Sequence, residues 1–237
     1  TSWPESGVLL WLWALVTTHT VLFLIGPRSR EMLENALQDG YLGILISDGY
    51  GVYRAWENRL RCWPHLLRKL RGLAESSDGR VSGVGQEMEA ILKTLMAAIY
   101  AARIEPPPEG LPVRYAADIA RLQKLCEAHQ MDDHPALRSV VREFLYEWKV
   151  ILRPLAEPHL PLSNNAAEQA LRHWVISRTI SHGTRSEAGP RAFALLATVI
   201  EPGRRRGVSV WRYLGTVIRA ARTGLQLPAL PAIPTTA

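Results

Sequence analysis

Cysteine is scarce in this 237-residue sequence, and its scarcity excludes a disulfide scaffold. The two cysteines, Cys62 and Cys126, instead fit a reducing compartment. A hydrophobic share of 47% and a charged share of 21% are ordinary for globular proteins, so the composition also excludes disorder and collagen-like structure. At about 150 residues per domain, the length leaves room for one large domain or two small ones.

Acidic residues are scarce in the last third of the chain. Residues 1–162 hold 18 lysines and arginines against 19 acidic residues, whereas residues 163–237 hold ten arginines against Glu168, Glu187 and Glu201. The formal net charge of +6 therefore comes entirely from the carboxyl-terminal third. Such lopsided charge predicts a face that meets a polyanion, and an arginine-rich codon bias is the alternative.

The sequence has one apolar run as long as a membrane span, at residues 8–25. Thr17, Thr18, His19 and Thr20 interrupt its middle, where polar residues are costly in a bilayer. The run therefore favours two strands of a hairpin joined by a polar turn. A charged-then-apolar signal peptide is absent as well, and we expect no membrane partner.

Two further segments of strand length follow, at residues 42–49 and 59–64. Ser29 can cap the first of three helical segments that surround them. These helical segments cover residues 29–38, 50–57 and 65–75. The order predicts an α/β fold with a mixed sheet covered by helices.

No strand pattern occurs between residues 80 and 160, and three helical patterns fill this block. Each pattern repeats apolar residues three or four positions apart. The repeats are Val84, Met88, Ile91, Leu95 and Ile99, then Leu111, Tyr115, Ile119, Leu122 and Cys126, then Leu137, Val141, Phe144, Trp148, Ile151 and Leu155.

Helical signals continue in the basic third of the chain. Ser163 or Asn164 can cap a helix that runs to about Arg178, a second helix is predicted over 190–201, and Ser209 can cap a last one. The tail beyond it carries three prolines, which predicts extended chain.

Familiar catalytic strings are absent, including the phosphate-binding and dinucleotide-binding glycine loops, the H-E-x-x-H zinc motif and the G-x-S-x-G nucleophile elbow. Cys62 and His65 form a C-x-x-H pair, but a second pair at zinc-finger spacing is missing. We interpret the pair as a structural cysteine and a surface or DNA-facing histidine.

Two carboxylates occupy positions of interest. Asp48 lies at the carboxyl end of a predicted buried strand, where α/β sheets build sites, although Asp-Gly also makes turns. Asn165, Glu168 and Arg172 share one face of a predicted helix because they are spaced by three and four residues. On that face, Glu168 is either a metal-binding carboxylate, with Asn165 and Arg172 as donors to phosphate oxygens, or one partner of a solvent-exposed ion pair with Arg172.

Three strings resemble the transposases of the insertion sequence 66 type. They are SDGYGVYRAW at 47–56, CWPHLLRKL at 62–70 and NNAAEQALR at 164–172, and looser agreement covers most of the chain. The resemblance implies a ribonuclease H-like core with a large helical insertion. The implied parts are the first part of the core at 1–75, the all-helical insertion at 76–162, the helices completing the core at 163–206, and a carboxyl-terminal helix with a proline-rich tail at 207–237.

The resemblance further implies a DDE active site, in which three carboxylates hold two divalent ions, Mg²⁺ or Mn²⁺. Asp48 matches the family's second Asp and Glu168 its Glu, so both are implied catalytic residues and metal ligands. The implied reaction is phosphoryl transfer during DNA strand cleavage and joining. The implied partners are transposon ends, target DNA and further copies of the chain, at the nucleoid in a bacterial cytoplasm.

The candidate DNA contacts are polar and basic residues, most of them in the basic third. They are His65, Asn164, Asn165, Arg172, Arg178, Arg185, Arg204, Arg205 and Arg206. For the three consecutive arginines, a solvated loop is the alternative.

The sequence departs from the family pattern in three places. The family's first catalytic Asp precedes the position of Thr1, and the first methionine here is Met32. We therefore expect a fragment or processed chain that holds two of three metal ligands and does not catalyse alone. Ser163 stands where the family often has Asp, and residues 177–181 differ from a Gly-Arg-Lys-Asn-Trp-like string, so part of the family's DNA surface differs here.

Three functions stay open at this point. The chain is the core of a DNA transposase, a non-catalytic DNA-binding remnant or regulator of transposition, or a helical interaction module without a nucleic-acid role.

Overall fold

The computed structural model describes residues 1–37, 41–186 and 188–232. The chain divides into two compact units, one within residues 1–40 and 165–237 and the other within residues 41–164. In chain order the elements of the described residues are β1 (Ser2–Glu5), β2 (Val8–Val16), β3 (Val21–Gly26), α1 (Arg30–Leu37), β4 (Leu45–Ser47), a 3₁₀ helix (Gly51–Ala55), β5 (Arg59–Arg61), α2 (Trp63–Ala74), α3 (Gly79–Ala102), α4 (Leu111–Arg114), α5 (Ala116–His129), α6 (Pro135–Tyr146), α7 (Trp148–Ala156), α8 (Asn165–Ser181), α9 (Gly189–Arg205) and α10 (Val210–Thr223).

The first unit is built on an antiparallel sheet in the order β1-β2-β3. Ser6 and Gly7 turn β1 into β2 with positive φ angles of 44° and 85°, a conformation in which glycine costs little. The predicted hairpin of β2 and β3 is confirmed, and its polar turn is closed by a hydrogen bond from Thr17 N to Thr20 O of 2.8 Å. The strand β1 was not predicted and extends the sheet by one strand.

Two helices cover this sheet with small and aromatic side chains. The buried residues of this core are Trp3, Leu12, Val21 and Phe23 from the sheet, Ala170 and Trp174 from α8, and Ala197 from α9. The backbone N–H of Phe23 donates to Thr198 Oγ1 at 2.9 Å, so α9 also satisfies a polar group of β3. Because Ala170 and Trp174 are buried against the sheet, one face of α8 is fixed there.

The second unit combines a short parallel pair, β4 and β5, with helices α2 to α7. The side chain of Trp63 is fully buried at the start of α2 and donates to the backbone oxygen of Ile151 at 3.0 Å. The long helix α3 confirms the first helical pattern, since its five predicted apolar residues are all buried. It begins at Asp78, whose carboxylate accepts from the N–H groups of Arg80 and Val81.

The second and third helical patterns are each divided into two helices. The breaks fall at Tyr115 and Glu147, where the φ and ψ angles (−108° and 23°, −103° and 17°) leave the helical range. The apolar spacing continues across both breaks, because Leu111, Leu122, Leu137 and Ile151 all reach one core.

The α/β class is confirmed, but the described strands form two small sheets in place of one mixed sheet. The predicted helix at 50–57 is a 3₁₀ helix of five residues, and the helix predicted at 190–201 is longer at both ends. The predicted helix end at Gln38 and the last five residues lie outside the described part. None of the helices in the described ranges is long and apolar enough to cross a membrane.

Candidate functional site

Asp48 lies directly after β4, at the carboxyl end of the parallel pair. Its Oδ1 atom accepts a hydrogen bond from the backbone N–H of Tyr50 at 2.9 Å. This is an Asx-type turn, so the turn-forming role foreseen for Asp48-Gly49 is present. The side chain is half-buried, and the turn fixes its position at the end of the strand.

A cluster of charged side chains packs against this turn. Gly49 lies beside Arg61, Lys69 and Glu143, all of which approach the position that a Cβ atom would take. Glu143 Oε2 accepts from Lys69 Nζ at 2.6 Å, and Glu143 Oε1 accepts from Arg61. Burial alone would raise the pKa of Glu143, but the hydrogen bonds from Lys69 and Arg61 outweigh it and hold that pKa below its ordinary value.

A second carboxylate, Glu147, completes the cluster from the break between α6 and α7. It accepts from Arg54 Nε at 2.8 Å and from Arg59 Nη2 at 3.1 Å, and it lies 3.5 Å from Arg61 Nη1. The side chains of Glu147 and Arg61 are 2% and 1% exposed. Buried charges of this kind hold together only because they are paired, so the cluster joins β5 to the helical part of the unit.

Glu168 lies in the first turn of α8 and is exposed. The buried side of α8 carries Ala170 and Trp174, and the exposed Arg172 follows Glu168 by one turn. The helix predicted to carry Asn165, Glu168 and Arg172 is therefore present, and all three residues are exposed on it. Acidic side chains are also favourable in a first helical turn, which is the structural reason for a glutamate here.

The two candidate ligands, Asp48 and Glu168, belong to different compact units. Among the residues that the structure describes, no three His, Cys, Asp or Glu side chains group in a way that would hold a metal ion.

Arg178 is engaged in the fold of the first unit. Its Nη1 atom donates to Thr1 Oγ1 at 3.0 Å, to Ser2 Oγ at 3.2 Å and to the backbone oxygen of Ser2. These bonds tie α8 to β1. Arg185, in contrast, is exposed in the segment between α8 and α9.

The three consecutive arginines lie at the end of α9 and differ in their surroundings. Arg206 donates to the backbone oxygen of His19 and to Thr20 Oγ1, both at 3.2 Å, and Arg205 approaches the oxygen of Thr17 at 3.4 Å. They therefore hold the β2–β3 turn. The Arg204 side chain is 62% exposed and 3.8 Å from Glu201, so it is the most accessible of the three.

His65 and Asn164 are both half-buried in the second unit. The Nδ1 atom of His65 lies 3.2 Å from the sulfur of Cys62, and Cys62 is buried, as a structural cysteine would be. The side-chain oxygen of Asn164 is buried without a hydrogen-bond partner in the described structure.

The second unit also has an open groove of about 970 Å³ that sequence reasoning missed. Gly49 and several residues of α6 are among its lining residues. Its charged lining residues are Arg54, Lys69, Arg138, Arg142 and Glu143. The only sequence signal was the four-residue spacing of two arginines on α6, which charge counting over a whole segment does not detect.

Comparison with known proteins decides the family, since the model of the IS66 transposase family matches residues 1–192. The chain belongs to the IS66 transposase family. The match includes Asp48, Glu168 and every candidate DNA contact except the three consecutive arginines. The predicted resemblance is thereby confirmed.

Relatives of this IS66-family chain include two uncharacterized proteins of Sinorhizobium fredii. One, y4jO, is 29% identical over 178 residues, which cover 74% of this chain and 53% of the relative. The other, y4qI, is 25% identical over 257 aligned positions, with 92% of this chain and 46% of the relative covered. The chain thus spans about half the length of these relatives. No solved structure matches it.

Proposed function

We propose that this IS66-family chain carries the catalytic core of a DNA transposase with a ribonuclease H-like arrangement. The observation that carries the proposal is the family match, which extends over both Asp48 and Glu168. The structure adds support, because Asp48 is fixed at the end of a parallel strand and Glu168 is exposed in the first turn of a helix.

The donor chemistry of these two residues fits a hard divalent ion, since Mg²⁺ and Mn²⁺ take carboxylate oxygens. In the proposal, Asp48 and Glu168 hold the ions, which when bound supply Lewis-acid stabilisation of the attacking and leaving oxygens in phosphoryl transfer. The Asx-type turn at Tyr50 orients the Asp48 carboxylate before any ligand arrives. The charged cluster that includes Glu143 packs against that turn at Gly49.

The proposed partners are transposon ends and target DNA. Arg172, Arg185 and Arg204 are exposed and are the basic residues that we assign to phosphate contacts, and Asn165, exposed on α8, is a further candidate. Self-association in a transposition complex and a location at the bacterial nucleoid belong to the same proposal. In this proposal Asp48 and Glu168 are two of the three carboxylates of a DDE site, and residues 1–237 by themselves bind DNA without cleaving it.

The test is the variant Asp48→Asn in the natural gene product, with DNA that carries the ends of its own element. Asparagine keeps an oxygen that can accept from Tyr50 N–H, so the turn survives while the charge is lost. We expect strand cleavage to disappear, with DNA binding and thermal stability unchanged. The same result is expected for Glu168→Gln.

The matched control is Glu127→Gln, which removes one exposed carboxylate from α5 in the second unit. Its cleavage rate should equal that of the parent protein. Cleavage retained by Asp48→Asn or by Glu168→Gln would overturn the catalytic assignment.

A further inference from the structure

The groove lined by Gly49 and α6 has a strongly basic side formed by α6. Arg138, Arg142 and Tyr146 follow one another at four-residue intervals and therefore lie on one face of the helix. The opposite face is buried in the core of the unit through Leu137, Val140, Val141 and Phe144. The core thus fixes which side of α6 is presented to the groove.

The cations of the groove fall into two groups. Arg54 and Lys69 are paired with Glu147 and Glu143, at 2.8 and 2.6 Å, and belong to the buried cluster. Arg138 and Arg142 have no carboxylate partner within the described residues. The positive charges of Arg138 and Arg142 are therefore available to an anionic ligand.

Backbone and sulfur contacts hold the two unpaired arginines in place. Arg142 donates from Nε to the oxygen of Gln130 at 2.7 Å and from Nη2 to the sulfur of Met131 at 3.0 Å. Arg138 donates to the backbone oxygens of Asp132 and Asp133. Ordering two long side chains when a ligand binds normally costs conformational entropy. Here the two side chains are already held by these hydrogen bonds, so the entropy cost of binding is smaller.

We propose that this groove, lined by Gly49, Arg54, Lys69, Arg138, Arg142 and Tyr146, binds the backbone of a DNA strand that leads to Asp48. The inference rests on the proposed function, since it assigns a DNA path to the same site. Arg54 and Lys69 are balanced by Glu147 and Glu143, so the net positive charge of the lining comes from Arg138 and Arg142, and such charge suits phosphates.

Two features favour a nucleic-acid strand over a single small anion. Arg138 and Arg142 are separated along the helix axis by about 6 Å, so they address successive points on an extended ligand. Tyr146 is 68% exposed at the groove, and the guanidinium carbon of Arg54 lies 4.6 Å from the centre of its ring. An exposed aromatic ring among cations is the arrangement on which bases stack in single-strand binding sites.

The groove lies next to the proposed catalytic residue Asp48. Its lining residue Gly49 follows Asp48 in the turn after β4, so a strand bound in the groove lies next to that turn. The helical block would then guide DNA toward the catalytic carboxylate.

The test compares the parent chain with the double variant Arg138→Gln/Arg142→Gln. Binding of fluorescent single-stranded and duplex DNA is measured by anisotropy at several salt concentrations. We expect at least a tenfold loss of affinity, and a fall of about 2 in the slope of log K against log salt, because each duplex phosphate contact contributes about 0.9. The variant Arg138→Lys/Arg142→Lys keeps the charge and should recover most of the affinity.

The matched control is Lys124→Gln/Lys149→Gln, which removes two exposed cations of the same unit outside the groove. Circular dichroism and thermal melting establish that each variant is folded. Binding by a folded Arg138→Gln/Arg142→Gln variant that equals the parent would overturn the inference. So would a parent chain that binds polyglutamate as tightly as DNA through the same two arginines.

Failure of this inference is distinguishable from failure of the proposed function. If the groove variant binds normally while Asp48→Asn abolishes cleavage, the groove assignment is wrong and the transposase assignment stands. If the parent chain binds no DNA at any salt concentration, both are wrong.

Discussion

Glu143 and Gly49 lie in direct contact, although 94 positions separate them in the sequence. A Cβ atom added to Gly49 would come within 2.7 Å of Glu143 Oε1 and within 2.8 Å of Arg61 Nη2. The turn that carries Asp48 is therefore shaped to fit the charged cluster behind it. A methyl group added at position 49 would therefore have to displace the ends of these charged side chains.

Replacing Gly49 by alanine should destabilise the second unit. The Arg61 side chain is 1% exposed and bonded to Glu143, so an added methyl group would have to shift this buried ion pair. We expect a loss of about 1–3 kcal/mol in the free energy of unfolding, the usual cost of overpacking a filled site. Urea unfolding followed by tryptophan fluorescence measures it.

Gly72→Ala is the matched control for this prediction. Gly72 is exposed inside α2, and nothing lies within 4 Å of the position of its Cβ atom. Alanine should stabilise the helix there by up to about 1 kcal/mol. Equal effects of the two alanine variants would contradict the packing role of Gly49.

The variant Glu147→Gln tests whether the buried charges depend on one carboxylate. Arg59 and Arg61 are 10% and 1% exposed and both approach Glu147, so a neutral side chain leaves buried positive charge without compensation. We expect a loss of about 3–5 kcal/mol in unfolding free energy, as for other broken buried pairs. In Glu157→Gln, where the partner Arg153 is more exposed, the melting temperature should barely change. A stable Glu147→Gln protein would show that the cluster is dispensable.

The lowered pKa of Glu143 predicts a loss of stability in acid. The carboxylate form is favoured in the folded state, so its contribution is complete above the ordinary glutamate pKa and is lost as the pH falls through the lower, folded value. The stability difference between the parent chain and Glu143→Gln should therefore be largest near neutral pH and shrink below about pH 4. Urea titrations from pH 3 to 7 measure it, and a difference that stays constant with pH would contradict the assignment.

The long helix α3 and the β2–β3 hairpin could be predicted because local pattern decides them. In α3 the five apolar residues of the predicted repeat, from Val84 to Ile99, are all buried along one uninterrupted helix. The hairpin has apolar strands on both sides of a polar turn. In both cases the pattern that identifies the element lies within the element itself, although α8 and α9 cover the hairpin in the folded unit.

The break at Glu147 could not be predicted, because its cause lies far away in the sequence. Apolar spacing continues from Phe144 to Ile151, but the Glu147 carboxylate is bonded to Arg54 and Arg59, about 90 positions earlier. The candidate site shows the same division. Asp48 and Glu168 were found from a strand end, a helical face and the family resemblance, whereas the cluster behind Asp48 exists only in the folded chain.

Arg178 and Arg172 lie on the same helix and should respond to mutation in opposite ways. Arg178 donates to Thr1 and Ser2, so Arg178→Ala leaves a backbone oxygen of β1 without its donor. We expect a loss of about 1–3 kcal/mol in unfolding free energy, with DNA affinity reduced only as far as folding is. Arg172 is exposed, and Arg172→Ala should leave stability unchanged while weakening DNA binding and lowering its salt dependence. Urea unfolding and anisotropy on the same two proteins separate these roles. A stable Arg178→Ala protein with weakened DNA binding would instead support the sequence-based prediction that Arg178 contacts DNA.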